Sequence, residues 1–113
     1  MRRSDLIRLR HIVDTIREAN AFLQGHSYNE LYSNRMLNLS LVRLLEIIGE
    51  TAHGVSRDCR ASYPEIAWSK MAGMRDRIAQ GYFDIDLDVV WQTVTGDLPP
   101  LLSQLETIIS AEE

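Results

Sequence analysis

Cysteine is almost missing from the sequence, and long apolar segments are missing altogether. The single cysteine among 113 residues, Cys59, leaves no disulfide framework, which fits a reducing compartment. No apolar run approaches the ~20 residues of a membrane-spanning helix, and none follows residues 1–5 as in a signal peptide. We therefore expect a cytoplasmic protein with no membrane partner, and we expect Cys59 to be chemically inert.

Lysine is nearly absent as well, because Lys70 is the one lysine among twelve basic residues. Sixteen acidic residues give a formal net charge of −4, which argues against a broad nucleic-acid-binding surface. Arginine forms forked hydrogen bonds to phosphates and carboxylates, whereas lysine acts as a point charge. The composition therefore fits a small phosphate-binding site, and it fits a GC-rich genome equally well.

Strand-like alternation is not seen, and apolar residues recur instead at helical spacing. Hydrophobic residues make up 45% of the chain and charged residues 25%, which is typical of one globular domain covering residues 1–113. The pattern predicts an all-α fold, a four-helix bundle with a proline kink in its last helix.

Start and stop signals delimit the first two helical segments. Ser4 and Asp5 predict the start of the first helix, and Gly25 predicts its end. A capping box over residues 27–30 opens the second segment, which we expect to be jointed near Asn34. Gly49 costs helix propensity of roughly 1 kcal/mol, so we expect it to permit a close approach of another helix.

The second half of the chain predicts two further helices. Pro64 suits the first turn of an element that leads into a helix from Trp68 to Gln80. Asp86 caps the last helix, in which Pro99 and Pro100 cannot occupy an interior position without loss of hydrogen bonds. We expect Asp97 to cap a fresh start that places both prolines in a first turn.

Acidic residues at regular spacing do not form the pattern of a metal site. Glu46 and Glu50 are four residues apart, but no E-x-x-H companion accompanies them. Asp84, Asp86 and Asp88 lack the glycine and the glutamate of a calcium loop. We expect no bound metal, and we interpret the two glutamates as a solvated or arginine-paired face.

The most informative stretch gathers polar residues at the end of a helix. Met74 and Ile78 continue an apolar face, and Gly81 is a natural helix stop. Arg75 lies more than a turn upstream of that stop, and Tyr82 follows it directly. The spacing predicts that a guanidinium, the Gln80 amide and a phenol meet at one helix terminus.

This stretch resembles the R-x-x-x-x-H-x-Y signature of the HepT-like family in the HEPN superfamily. Arg75 and Tyr82 match the signature, whereas Gln80 stands at the histidine position. Further words similar to the family's occur along nearly the whole chain: Leu45-Glu46-Ile47-Ile48-Gly49-Glu50, Tyr63-Pro64-Glu65-Ile66, Trp68, Ala72-Gly73-Met74-Arg75, Gly81-Tyr82-Phe83 and Asp97-Leu98-Pro99-Pro100-Leu101. The resemblance implies a four-helix homodimer whose two motif helices face each other across a cleft.

The resemblance also implies an activity, which is metal-independent RNA cleavage without a cofactor by the toxin of a HEPN–MNT toxin–antitoxin pair. Such cleavage needs one group that removes the 2′-hydroxyl proton and one that protonates the leaving oxygen, and histidine suits both near pH 7. Arg75 is expected to hold the phosphate. Gln80 preserves hydrogen bonding but does not titrate, so we expect impaired cleavage. We do not expect His53, on another helix, to replace the histidine.

Tyr82 acquires a second role from the resemblance, as the acceptor of AMP from an MNT-type nucleotidyltransferase that neutralises the toxin. We expect Gly81 to expose the phenol, Arg77 to help hold phosphates, and Asp76 to pair with Arg75 or Arg77 of either subunit. The residues alone favour a simpler role for Tyr82, packing the helix end. Three classes of function therefore remain open: a ribonuclease toxin, an inactive HEPN scaffold or target of a nucleotidyltransferase, and an unrelated helical dimerisation module.

Overall fold

The computed structural model describes residues 1–78 and 85–113, and its regular elements are helices. The expectation of an all-α fold is confirmed. In chain order the helices are α1 (Arg3–Leu23), α2 (Tyr28–Ser33), α3 (Arg35–His53), α4 (Arg57–Ser62), α5 (Trp68–Ala72), α6 (Met74–Ile78), α7 (Leu87–Gln92), a π-helical segment (Thr93–Asp97) and α8 (Leu98–Glu112).

Four helical segments enclose the apolar core: α1, α2 with α3, α5 with α6, and the run from α7 to α8. Helix α1 packs against α3 and α8, and α3 packs in turn against α5 and α6. The most enclosed core side chains include Leu9, Ile16, Leu45, Val90 and Leu105. Among the described residues, no helix is long and apolar enough to cross a membrane.

The local signals in the first half of the chain are confirmed. Gly25 follows α1 with a φ of 79°, a conformation in which glycine is favoured. Ser27 and Glu30 form the reciprocal capping box of α2. Asn34 forms the joint, because its side chain accepts a hydrogen bond from the Leu37 backbone N–H and caps α3.

The first helix begins differently from the prediction. Helix α1 starts at Arg3, and no side chain caps it. Asp5 is buried, and its carboxylate accepts hydrogen bonds from the Ser56 backbone N–H (2.9 Å) and hydroxyl (2.6 Å). The predicted start at Ser4 and Asp5 is wrong because Asp5 does not cap α1. Its hydrogen-bond partner lies 51 residues away, at the start of α4.

The motif helix is interrupted where the sequence predicts a continuous one. Helix α5 begins at Trp68 as expected, but it ends at Ala72, and α6 begins at Met74 after Gly73. Pro64 does not start a helix; it lies in a turn in which the Ile66 N–H donates to the Tyr63 carbonyl. The predicted end of the motif helix at Gln80 and Gly81 falls outside the described residues.

The predicted disturbance at the prolines takes the form of a π-helical segment. Asp86 caps α7 through a hydrogen bond from the Val89 N–H (3.1 Å), as predicted. Ahead of Pro99 and Pro100 the helix widens, and the Leu98 N–H donates to the Thr93 carbonyl. The prolines occupy the first turn of α8, but the Asp97 side chain makes no capping hydrogen bond and pairs with Lys70 at 3.4 Å instead.

Candidate functional site

Close contact between α3 and α5 sets the position of the site. A Cβ atom on Gly49 would lie 3.3 Å from the Ala72 carbonyl oxygen and 3.4 Å from that of Met71. A side chain at this position would force the two helices apart by a few tenths of an ångström, so glycine suits this close approach of helix to backbone. The expected close helix approach at Gly49 is confirmed, and it brings α6 alongside the exposed face of α3.

Arg75 lies on α6 and faces an ionic cluster on α3. Its Nε atom is 3.9 Å from Oε2 of Glu46, and its side chain is 66% exposed. The same carboxylate oxygen lies 3.8 Å from Nη1 of Arg43, which in turn is 3.3 Å from Oε1 of Glu50. The arginine-paired interpretation of Glu46 and Glu50 is confirmed. In the described part of the chain, no group of residues is arranged to hold a metal ion.

The two neighbours of Arg75 differ in environment. Asp76 is exposed, and within the described part of this chain it forms no ion pair with Arg75 or Arg77. Arg77 is half-buried, and its Nε and Nη2 atoms are buried with no hydrogen-bond partner among the described residues. Buried guanidinium groups without partners are costly, so Arg77 is the described arginine with the greatest need for an anionic partner.

Three residues of the predicted site, Gln80, Gly81 and Tyr82, lie outside the described residues. The chain on either side of them is described. The Asp86 N–H donates to the Ile78 carbonyl at 3.0 Å, so the residues that flank this segment are directly hydrogen-bonded at the end of α6.

Comparison with known proteins identifies the family. The family model described as Ribonuclease HepT-like matches residues 12–108. This chain belongs to the HepT-like family. It is 32% identical to "Probable ribonuclease HepT" of Thermococcus cleftensis over 96% of this chain and 98% of the relative. It is 31% identical to "Putative RNase MJ1380" of Methanocaldococcus jannaschii over 86% of this chain and 89% of the relative. No solved structure gives a significant match.

Three other titratable side chains of this HepT-like chain, those of Cys59, Tyr28 and Tyr63, are buried or hydrogen-bonded. Cys59 is buried, and burial raises the pKa of its thiol, which disfavours the reactive thiolate. His53 ends α3 on the surface, where its backbone carbonyl accepts a hydrogen bond from Arg60. Hydrogen bonds to Asp88 and Glu112 raise the pKa of the Tyr28 and Tyr63 phenols.

A groove on the described part of the chain lies away from the predicted site residues. It has a volume of about 600 Å³ and lies between the C-terminal half of α1 and the α7–α8 run, with Arg17, Trp91 and Pro99 in its lining. None of the sequence-predicted site residues in the described ranges lines it.

One functional candidate was missed by sequence reasoning. Arg43 was not singled out, although it lies three residues before Glu46 and seven before Glu50, both helical spacings that bring side chains together. Its proximity to Arg75 had no local signal, because 32 residues separate the two arginines and the fold alone connects them.

Proposed function

We propose that this HepT-like chain binds RNA and belongs functionally to the ribonucleases for which its relatives are named. The match over residues 12–108 and the names of both relatives support this class. The observation that carries the proposal is the Arg75 side chain, which is two-thirds exposed beside a second exposed arginine, Arg43. Arginine guanidinium groups present forked donors to phosphate oxygens.

Cleavage by this chain is weak or absent in our proposal, because Gln80 stands at the motif histidine. Arg75 supplies charge stabilisation at the phosphate, but an amide neither accepts the 2′-hydroxyl proton nor delivers one to the leaving oxygen. The loss of a general acid–base group typically costs about 10²–10⁴-fold in rate. The second candidate, an inactive HEPN scaffold that keeps RNA binding, rests on this same substitution.

We further propose that the chain acts as a homodimer. Met36 is 81% exposed and Leu39 is 43% exposed on the outer face of α3. Helical spacing places both on one stripe with Arg43, Glu46 and Glu50. A second copy that covers the apolar end of this stripe buries Met36 and Leu39 and brings the two Arg75 sites towards each other.

The biological setting that we propose is a toxin–antitoxin pair, in which an MNT-type nucleotidyltransferase transfers AMP to Tyr82. The hydrogen bond between Asp86 and Ile78 supports this role, because the segment that carries Tyr82 starts and finishes at the end of the Arg75 helix. A phosphate attached there adds negative charge and bulk where RNA phosphates bind.

RNA binding tests the proposed function directly. Fluorescence anisotropy with a labelled single-stranded oligoribonucleotide should show affinity that falls at least several-fold in Arg75→Ala. The matched control is Arg17→Ala, since Arg17 is also exposed and lies 3.5 Å from a glutamate, Glu106, on other helices. Equal affinities of the parent, Arg75→Ala and Arg17→Ala would contradict the proposed function.

A further inference from the structure

The carboxylate of Glu46 lies between two arginines that belong to different helices. One oxygen, Oε2, is within 4 Å of both Nε of Arg75 and Nη1 of Arg43. We infer that Glu46 is a positioning residue for RNA binding: it holds Arg75 by the Nε edge and leaves the two Nη groups to a phosphate. This inference rests on the proposed function.

The geometry restrains Glu46 more than its neighbours. Its side chain is 27% exposed, against 66% for Arg75 and 59% for Arg43. Gly49 lies three residues further along α3 and fixes the distance to α5 through its contact with the Ala72 carbonyl. The carboxylate therefore has a defined place from which it orients a long and otherwise mobile side chain.

Each guanidinium carries five N–H donors, so Arg75 can contact a carboxylate and a phosphate at the same time. Glu46 faces the Nε side of Arg75 at 3.9 Å, an ion pair longer than a hydrogen bond. The edge formed by Nη1 and Nη2 is on the other side of the group and matches two oxygens of a phosphodiester. A carboxylate between two guanidinium groups also lowers their mutual repulsion. Arg43 and Arg75 are thereby kept close enough to contact one backbone segment of a bound RNA.

Charge alone predicts the opposite effect of Glu46 removal on RNA affinity. Glu46 is negative and lies beside a phosphate-binding arginine, so its removal should strengthen RNA binding if long-range electrostatics decide the result. If Glu46 positions Arg75, its removal weakens binding although the net charge becomes more favourable. The sign of the effect separates the two accounts.

The experiment is a double-mutant cycle with Glu46→Ala, Arg75→Ala and the double variant, measured by anisotropy with the labelled oligoribonucleotide. We expect the probe to stay intact, because Gln80 does not supply the acid–base group that the proposed cleavage requires. We expect Glu46→Ala to lower affinity by about threefold to tenfold, the usual coupling between contacting residues, and to have no further weakening effect in Arg75→Ala. Glu46→Asp should recover part of the affinity.

A charge-matched control comes from another helix, α1. Glu18→Ala removes the same charge from an exposed position outside the cluster of Arg43, Glu46, Glu50 and Arg75. We expect its affinity to equal or slightly exceed that of the parent. The ¹⁵N order parameter of the Arg75 Nε–H should fall in Glu46→Ala and remain at the parent value in Glu18→Ala.

The results separate failure of the inference from failure of the proposed function. Tighter or unchanged binding in Glu46→Ala, while Arg75→Ala still weakens it, overturns the inference alone. An unchanged Arg75 order parameter in Glu46→Ala overturns it whatever the affinities are. Equal binding by the parent and Arg75→Ala contradicts the proposed function, and the inference fails with it.

Discussion

The carboxylate of Asp5 is bonded twice to Ser56, through the backbone N–H and through the hydroxyl. The contact joins the first turn of α1 to the N-cap of α4, because the Ser56 hydroxyl oxygen also accepts the Cys59 N–H. Burial raises the pKa of Asp5, but the Ser56 hydrogen bonds and the charges of Arg2 and Arg8 outweigh burial and place the pKa below its ordinary value.

We predict that Asp5→Ala lowers the free energy of unfolding by about 2 kcal/mol, since hydrogen bonds to a charged group are lost. Because the folded pKa is depressed, the carboxylate's contribution is present above the unfolded pKa and is lost as the pH falls through the folded pKa. Urea titrations at neutral and acidic pH measure both effects.

The control is Asp58→Ala, because the Asp58 side chain is 80% exposed and its loss should change stability little. Equal losses of stability in both variants would contradict the prediction.

Two glycines in helical segments should respond in opposite ways to alanine. At Gly49 the added methyl group meets two backbone carbonyls, so we expect Gly49→Ala to destabilise the fold by about 1 kcal/mol despite its better helix propensity. At Gly96 nothing lies within 4 Å of the added atom, so Gly96→Ala should stabilise by about 0.4–1 kcal/mol. Thermal unfolding of both variants measures the two changes in stability. Stabilisation by Gly49→Ala would contradict the prediction and show that α5 moves away at little cost.

Restoring the motif histidine should restore cleavage. We expect Gln80→His to cleave a structured RNA in the presence of EDTA about 10²–10⁴ times faster than the parent. Its rate should change with pH around the ordinary histidine pKa of ~6.5. Gel analysis of the products gives the rates. Gln80→Asn, which retains an amide, is the control, and equal rates for the parent and the histidine variant would contradict the acid–base argument.

The outer face of α3 should control self-association. Sedimentation at micromolar concentration is expected to give about twice the chain mass for the parent and the chain mass for Leu39→Glu, because the charge falls within an apolar contact. Ile7→Glu is the matched control, since Ile7 on α1 is also 43% exposed. A monomeric parent protein would contradict the proposed homodimer. A dimeric Leu39→Glu variant would show that the dimer interface does not lie on the outer face of α3.

Modification should depend on Tyr82. With a cognate nucleotidyltransferase, ATP and magnesium, intact mass should increase by AMP units, and Tyr82→Phe should remove the first unit. Gln80 should not prevent the transfer, because the acceptor is a phenol and the base comes from the partner. Tyr32→Phe is the control, because Tyr32 is 66% exposed. Undiminished labelling of Tyr82→Phe would move the acceptor to another tyrosine.

Sequence reasoning succeeded where a feature depends on neighbouring residues or on an unusual residue type. Local signals predicted the capping box at Ser27, the joint at Asn34 and the glycine stop at Gly25. Gly49 predicted a close helix contact because glycine is otherwise unfavourable inside a helix. Asp5 was misread because its partner lies 51 residues away.

The ionic cluster was predicted in part, because the i,i+4 spacing of Glu46 and Glu50 indicated a partner of arginine. The roles of Arg75 and of the other motif residues stay predictions. Which arginine Glu46 meets depends on the packing of α3 against α6, which no local pattern encodes. The interruption at Gly73 was missed for the same reason, since helical periodicity continues across it.

The hydrogen bond from Asp86 to Ile78 has an evolutionary consequence. It joins the described residues on either side of positions 79–84, so α6 and the start of α7 are held together by the backbone itself, whatever side chains those positions carry. We therefore expect exchanges at position 80, such as glutamine for histidine, to leave the stability of the fold nearly unchanged. Under our proposal, a lineage can then lose or regain the acid–base group while it inherits the same scaffold.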